Sequence, residues 1–193
     1  MRVIVIRHGK VDFKWRGLST SEQFDMDCMK YDKAPVKPFS VEIPKKASEK
    51  IYISSLPRSR ESAIQIFGEK NFIVTSLIDE VPMRASIVSK IKLPLWFWNI
   101  SGRLQWFFHS RMQQEGKIDT VKRAEKFVRM ILRSEEDCTV VTHGFFMHTL
   151  IAALKKNGFC ISHARVRYSN GECIIAEWEP KETRNTHDIR KYV

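Results

Sequence analysis

Residues 3–6 read Val-Ile-Val-Ile, four β-branched side chains with no polar alternation. Such a run suits a strand covered on both faces, as in a parallel sheet flanked by helices, and poorly suits a strand with one wet face. It stops at Arg7-His8-Gly9, so a cation and an imidazole stand where the strand ends.

The same grammar recurs. Ile51-Tyr52-Ile53 is followed by Ser54-Ser55-Leu56-Pro57, where hydroxyls and a proline supply capping and first-turn signals for a helix to about Phe67. Phe72 to Thr75 predicts a third strand, ahead of Asp79-Glu80. Thr139-Val140-Val141-Thr142 predicts a fourth, ending in His143-Gly144 before an apolar helix over Phe146 to Leu154. Asp119 to Arg133 carries Val121, Ala124, Phe127, Val128, Ile131 and Leu132 at helical spacing. Near the end, Arg165 to Tyr168 and Cys173 to Trp178 flank Ser169-Asn170-Gly171-Glu172, a hairpin signal that predicts an antiparallel edge. The expected fold is α/β, a three-layer α/β/α sandwich on a mostly parallel sheet. At 193 residues and 43% hydrophobic content, one domain spanning 1–193 is expected, with excursions at about 10–50 and 81–118 over the active-site face and a polar tail from Lys181 to Val193.

Lys and Arg total 33 against 22 Asp and Glu, a formal charge of +11, which favours anionic partners. Charge is scattered and no nucleic-acid module is recognisable, so nucleic acid is not an expected partner. No stretch reads as a transmembrane helix or an export signal. Cys28, Cys138, Cys160 and Cys173 stand singly, as thiols do in a reducing compartment, and a cytoplasmic protein is expected.

In an open parallel sheet, polar side chains from several strands meet at the strands' carboxyl ends. Three such ends carry Arg7-His8-Gly9, the Arg58 segment with Arg60, and His143-Gly144. Guanidinium groups offer paired donors to a tetrahedral dianion, and a helix N-terminus beside Arg58 adds backbone N–H groups. A neutral imidazole with one nitrogen held by an acceptor can attack phosphorus, and His8 fits that need.

These residues resemble the histidine phosphatase superfamily, also called the phosphoglycerate mutase-like family. Arg7-His8-Gly9 is similar to its hallmark, Ser54 to Ala63 to its second-arginine segment, Val141 to Gly144 to its late histidine segment, and Leu77 to Glu80 to the stretch bearing its proton donor. The resemblance implies that His8 is phosphorylated during turnover. Arg7, Arg58 and His143 would hold the phosphoryl oxygens with help from the Gly144 N–H. Glu80, with Asp79 as its rival, would protonate the leaving oxygen. It implies a phosphomonoester hydrolase with neither metal nor cofactor, acting on a small phosphorylated substrate or a phosphoprotein. Mutase-type transfer is one alternative; a catalytically weak phospholigand or protein-binding module is another. Where the family often has Glu or Gln, then Thr or Ser, then Asn, this chain has Lys10, Val11 and Lys14. An inward Lys14 would add a phosphate contact. A glycine-and-tryptophan signature common after the acid is replaced by Val81-Pro82-Met83-Arg84.

Leu95 to Phe108 is dense in aromatics and flanked by Lys90, Lys92 and Arg111. It is too short and interrupted to span a bilayer. Two readings stay open: a helical flap whose rings, Trp96 and Trp98 included, wall the substrate pocket, or a weak interfacial membrane contact. Arg60 is expected to face elsewhere, and His109, His148, His163 and His187 to be surface or packing histidines.

Overall fold

The computed structural model describes residues 1–43, 48–162 and 167–178. In chain order the strands are β1 (Arg2–Arg7), β2 (Leu18–Ser19), β3 (Ile51–Ile53), β4 (Ile73–Val74), β5 (Leu93–Pro94), β6 (Cys138–Thr142), β7 (Phe159–Ile161) and β8 (Cys173–Trp178). The helices are α1 (Ser21–Lys33), α2 (Pro57–Phe67), α3 (Leu95–Phe107), α4 (Lys117–Ser134) and α5 (Gly144–Lys156).

The main sheet runs β4-β3-β6-β1-β8-β7. Its first four strands are parallel, and β8 and β7 form an antiparallel edge. The β1 run is buried on both faces for the reason its composition predicts. Val3 and Val5 join Tyr52, Val140, Ile174 and Ala176 against Phe127, Val128 and Ile131 of α4 and Phe146 and Leu150 of α5. Ile4 and Ile6 face the other way, with Ile51, Ile53 and Val141 against Ala63 and Ile66 of α2. Alternate residues of one strand thus feed two cores, giving the α/β/α layering.

Two local expectations change. β8 pairs with Phe159–Ile161, from Phe159 opposite Trp178 to Ile161 opposite Ala176, so its outer antiparallel partner is β7. Of the partner strand expected over Arg165 to Tyr168, Arg165 and Val166 lie outside the described residues, and Arg167 and Tyr168 are not in a strand. Asn170 and Gly171 do turn the chain, with Gly171 at φ 75° and the Glu172 N–H donating to the Ser169 carbonyl at 3.0 Å, but the turn closes a longer connection. α2 begins at Pro57 as expected, yet no hydroxyl caps it: Leu56 holds the cap position, and the serines bond elsewhere. The Lys181 to Val193 tail, His163 and His187 lie outside the described residues.

The excursions pack on each other. α1 is capped by Thr20, whose hydroxyl accepts from the Gln23 N–H while Gln23 Oε1 accepts from the Thr20 N–H. β2 pairs with β5, Phe24 of α1 stacks on Trp98 of α3 at 5.5 Å between ring centroids, and the Trp98 indole donates to the Ser19 carbonyl at 3.2 Å. This satellite core, with Ala85 and partly buried Trp15, Met83 and Leu95, holds the two excursions against the carboxyl end of the sheet.

Candidate active site

Strands β1, β6 and β3 are neighbours, with Arg7 opposite Thr142 and Val141 opposite Ile53. The residues just past those pairs, His8, His143 and Ser54, therefore meet. The rings of His8 and His143 are 5.0 Å apart between centroids. Arg58 enters from the first turn of α2, only 1% exposed, and its Nε donates to His143 Nδ1 at 3.1 Å.

That bond settles the His143 tautomer. With Nδ1 accepting, the ring proton sits on Nε2 and is donated to Ser54 Oγ at 2.6 Å. His143 is fully buried, and desolvation, then the Arg58 charge, hold its pKa well below the ordinary histidine value. Both ring nitrogens are thus engaged by protein groups, Nδ1 by Arg58 and Nε2 by Ser54.

His8 is different. Its Nδ1 lies 2.7 Å from the Gly9 carbonyl, which can only accept, so Nδ1 carries the proton and Nε2 carries the lone pair. Burial first, and the Arg58 and Arg7 charges after it, lower the His8 pKa to about 3 against the hydrogen bond to Gly9, which raises it. A shift of that direction keeps the imidazole neutral near pH 7, the form in which an imidazole can attack phosphorus.

Arg7 closes the far side. Its Nη1 donates to the Tyr168 carbonyl, while its Nε is buried without a hydrogen-bond partner. A buried guanidinium donor left unpaired is rare, and an anion is its natural acceptor. Gly144 makes room: a methyl there would stand 2.6 Å from Arg7 Cζ and Nε. Gly144 also opens α5, whose first turn binds Glu80, with Oε1 accepting from Phe146 N–H at 2.9 Å and Oε2 from Phe145 N–H at 3.3 Å. Asp79 instead accepts from the Ser55 N–H and hydroxyl at 2.7 and 2.5 Å.

A cavity of about 960 Å³ opens above, lined by Arg7, Arg58, Asp79 and Glu80, by Trp15, Tyr31 and Asp32 from the first excursion, and by Met83, Asn99 and Arg103 from the second. His8 and His143, 1% and 0% exposed, lie behind the arginines and do not line it. Lys14 and Lys10 are exposed and do not line it either, and Arg60 is exposed on α2. The expected wall of α3 rings is not formed: α3 brings Leu95, Asn99 and Arg103 to the cavity, while Trp98 is spent in the satellite core and Trp96 faces outward, 63% exposed. His109 accepts from the Ile118 N–H, and His148 stacks on Tyr168.

Several groups escaped the sequence reading. Asp32 pairs with Arg58 Nη1 at 2.8 Å, and no sequence signal marks it, because α1 lies in an unmatched excursion. Ser62 accepts from the Gly9 N–H at 2.9 Å and donates to the Arg58 carbonyl at 2.7 Å; its four-residue spacing from Arg58 on a buried helix face was the available clue. Arg123 donates to the carbonyls of Ser76, Leu77 and Asp79 and is clamped by both oxygens of Glu115, so it shapes the loop that presents Glu80. Asn170 Nδ2 donates to the carbonyls of His8 and Gly9 at 3.0 and 3.2 Å. Among the described residues, no group of three or more His, Cys, Asp or Glu side chains is placed to hold a metal ion.

Solved structures share this architecture at low identity. A mutant phosphoserine phosphatase from Entamoeba histolytica, in complex with phosphoserine, aligns with TM-score 0.55 and 16% identity over 90% of this chain and 89% of that one. A mycobacterial glucosyl-3-phosphoglycerate phosphatase with VO3 aligns at 0.53 and 15% over 90% and 91%. The product of a Mycobacterium tuberculosis open reading frame aligns at 0.54 and 15% over 92% and 91%. No curated protein matches the sequence. The sequence profile of the histidine phosphatase superfamily, branch 1, matches residues 3–187, nearly the whole length, and the chain belongs to that superfamily.

Proposed function

We propose that the protein hydrolyses phosphomonoesters through a phosphohistidine on His8, without a metal ion. The observation that carries this reading is the His8 ring: Nδ1 tied to the Gly9 carbonyl, Nε2 unprotonated, and two guanidinium groups beside it. The solved phosphatases of the same fold support a phosphorylated substrate in general terms.

In the proposed cycle the phosphoryl dianion takes Arg58 from Asp32 and meets the unpaired Nε of Arg7, which brings phosphorus to His8 Nε2. The Nε2 lone pair forms the P–N bond as the ester P–O bond breaks, and the leaving oxygen takes a proton from the Glu80 carboxyl. Glu80 then accepts a proton from water, whose oxygen attacks phosphorus, breaks the P–N bond and restores Nε2. His143 acts by holding Arg58 Nε and by staying uncharged beside the nucleophile.

A second reading, phospholigand binding with weak turnover, draws on Glu80, both of whose oxygens accept backbone N–H groups at the start of α5. Turnover of p-nitrophenyl phosphate in EDTA separates the two. The hydrolase reading expects EDTA-resistant turnover that falls at least about 1,000-fold in His8→Ala. Loss of turnover in EDTA, or retention of it in His8→Ala, overturns the mechanism. An inactive parent that still binds vanadate favours the binding module.

A further inference from the structure

Helix α3 is apolar on two faces, and the fold covers one. Inward, Trp98 is fully buried and Gly102 lies close against Met83. Outward, Trp96, Ile100, Leu104 and Phe107 follow one another at three- and four-residue spacing, so they form a single stripe. They are 63%, 56%, 53% and 49% exposed, and Phe108 at the helix end is 73% exposed. A helix that is apolar all round is normally enclosed. This stripe is not, and at about 1.5 Å per residue it runs about 17 Å across the surface.

The sequence that carries it is basic. Between Glu80 and Glu115 the sequence contains no Asp or Glu, while Arg84, Lys90, Lys92, Arg103 and Arg111 fall in the same stretch. Lys117 adds a further cation, its ammonium 4.2 Å from the centre of the Phe107 ring. Among the described residues no helix is long and apolar enough to cross a membrane.

We propose that the outer face of α3 docks on an anionic lipid surface, the helix lying in the plane of the headgroups. Exposed Trp and Phe rings fringed by Lys and Arg match the depth at which amphipathic rings sit and the charge that anionic headgroups present. A second copy of this chain matches it poorly, because a two-fold contact would bring the same cations together on a protein of formal charge +11. The flank of the stripe gives Asn99 and Arg103 to the cavity wall, so docking sets the cavity beside the lipid. The inference does not depend on the hydrolase reading.

Vesicle flotation tests it. The parent floats with phosphatidylcholine vesicles containing roughly one third phosphatidylserine, does not float with phosphatidylcholine alone, and loses binding as salt rises. The triple variant Trp96→Ala, Ile100→Ser, Phe107→Ser, altered only at exposed positions that do not line the cavity, keeps the parent's circular dichroism and melting curve and binds at least about 100-fold more weakly. Lys90→Glu with Lys92→Glu weakens binding roughly tenfold or more. A parent that stays behind from anionic vesicles overturns the proposal, as does a triple variant that floats like the parent. A parent that is dimeric by light scattering, made monomeric by the triple substitution and indifferent to vesicles, assigns the stripe to a second copy and overturns it equally.

Discussion

Gly144 leaves the space that Arg7 fills: a single methyl on it would stand 2.6 Å from the guanidinium carbon. Arg7 cannot simply swing away, since its Nη1 is held by the Tyr168 carbonyl. Gly144→Ala therefore displaces the Arg7 guanidinium, the phosphate donor of the proposed cycle, by a fraction of its own length. Turnover is expected to fall roughly 10- to 100-fold, as misplacement by about 1 Å does elsewhere, with little change in melting temperature. Steady-state kinetics with p-nitrophenyl phosphate checks it; unchanged kcat/KM would remove Arg7 from the phosphate site.

Asp32 holds Arg58 Nη1 at 2.8 Å, so under the proposed cycle it competes with the substrate for that guanidinium. Its side chain is 49% exposed, so the ion pair is partly screened and is worth little on its own. Asp32→Asn is expected to tighten inhibition by inorganic phosphate or vanadate by a factor of about 2 to 5. Weaker inhibition would mean that Asp32 orients Arg58 and does not compete for it.

Glu80 and Asp79 are separable by leaving group. An alkyl phosphate needs a proton on its departing oxygen, and p-nitrophenolate needs much less help. Glu80→Gln should cost about 100- to 10,000-fold on an alkyl phosphate and far less on p-nitrophenyl phosphate. Asp79→Asn, which disturbs the bonds to Ser55, should lower both rates alike. The reverse pattern would make Asp79 the donor.

Acid should unfold the protein in part through its two site histidines. The His8 pKa falls from 6.5 in the unfolded chain to about 3 in the folded one, and that of His143 is lowered in the same direction. Below pH 6.5 the unfolded state binds protons that the folded state refuses, so this contribution is fully present above 6.5 and is lost as pH falls toward 3. Melting temperature should drop steeply across that window, and less steeply in His8→Asn. Parallel curves would show that the imidazole gains no stability from staying neutral.

The sheet and its helices were legible because their signals are local. Val3 to Ile6 and Thr139 to Thr142 carry unbroken β-branched runs, and α4 shows its apolar face at helical spacing. β7 was missed because three residues, Phe159-Cys160-Ile161, are too short to show a period, and the Asn-Gly turn drew the expected partner strand to the residues next to it. At the site, Arg7, His8, Arg58 and His143 were readable from their places at strand ends. Their division of labour was not: which nitrogen of His143 bears the proton follows from Arg58 Nε and Ser54 Oγ, contacts between residues 85 and 89 positions apart. Trp96 and Trp98 illustrate the same limit, since two residues on a helix point in nearly opposite directions and composition alone does not say which is covered.

The Ser169–Glu172 turn straps the Arg7-His8-Gly9 turn from a distant part of the chain. Gly171 N–H donates to the Arg7 carbonyl and Asn170 to that of His8, 162 residues earlier. At ribosomal speeds that separation corresponds to roughly 10 to 30 seconds of synthesis. A nascent chain thus exposes Arg7 and His8 almost at once but leaves their carbonyls unfastened until the Ser169–Glu172 turn emerges, so a polypeptide stalled before that point carries the Arg-His-Gly tripeptide without its strap.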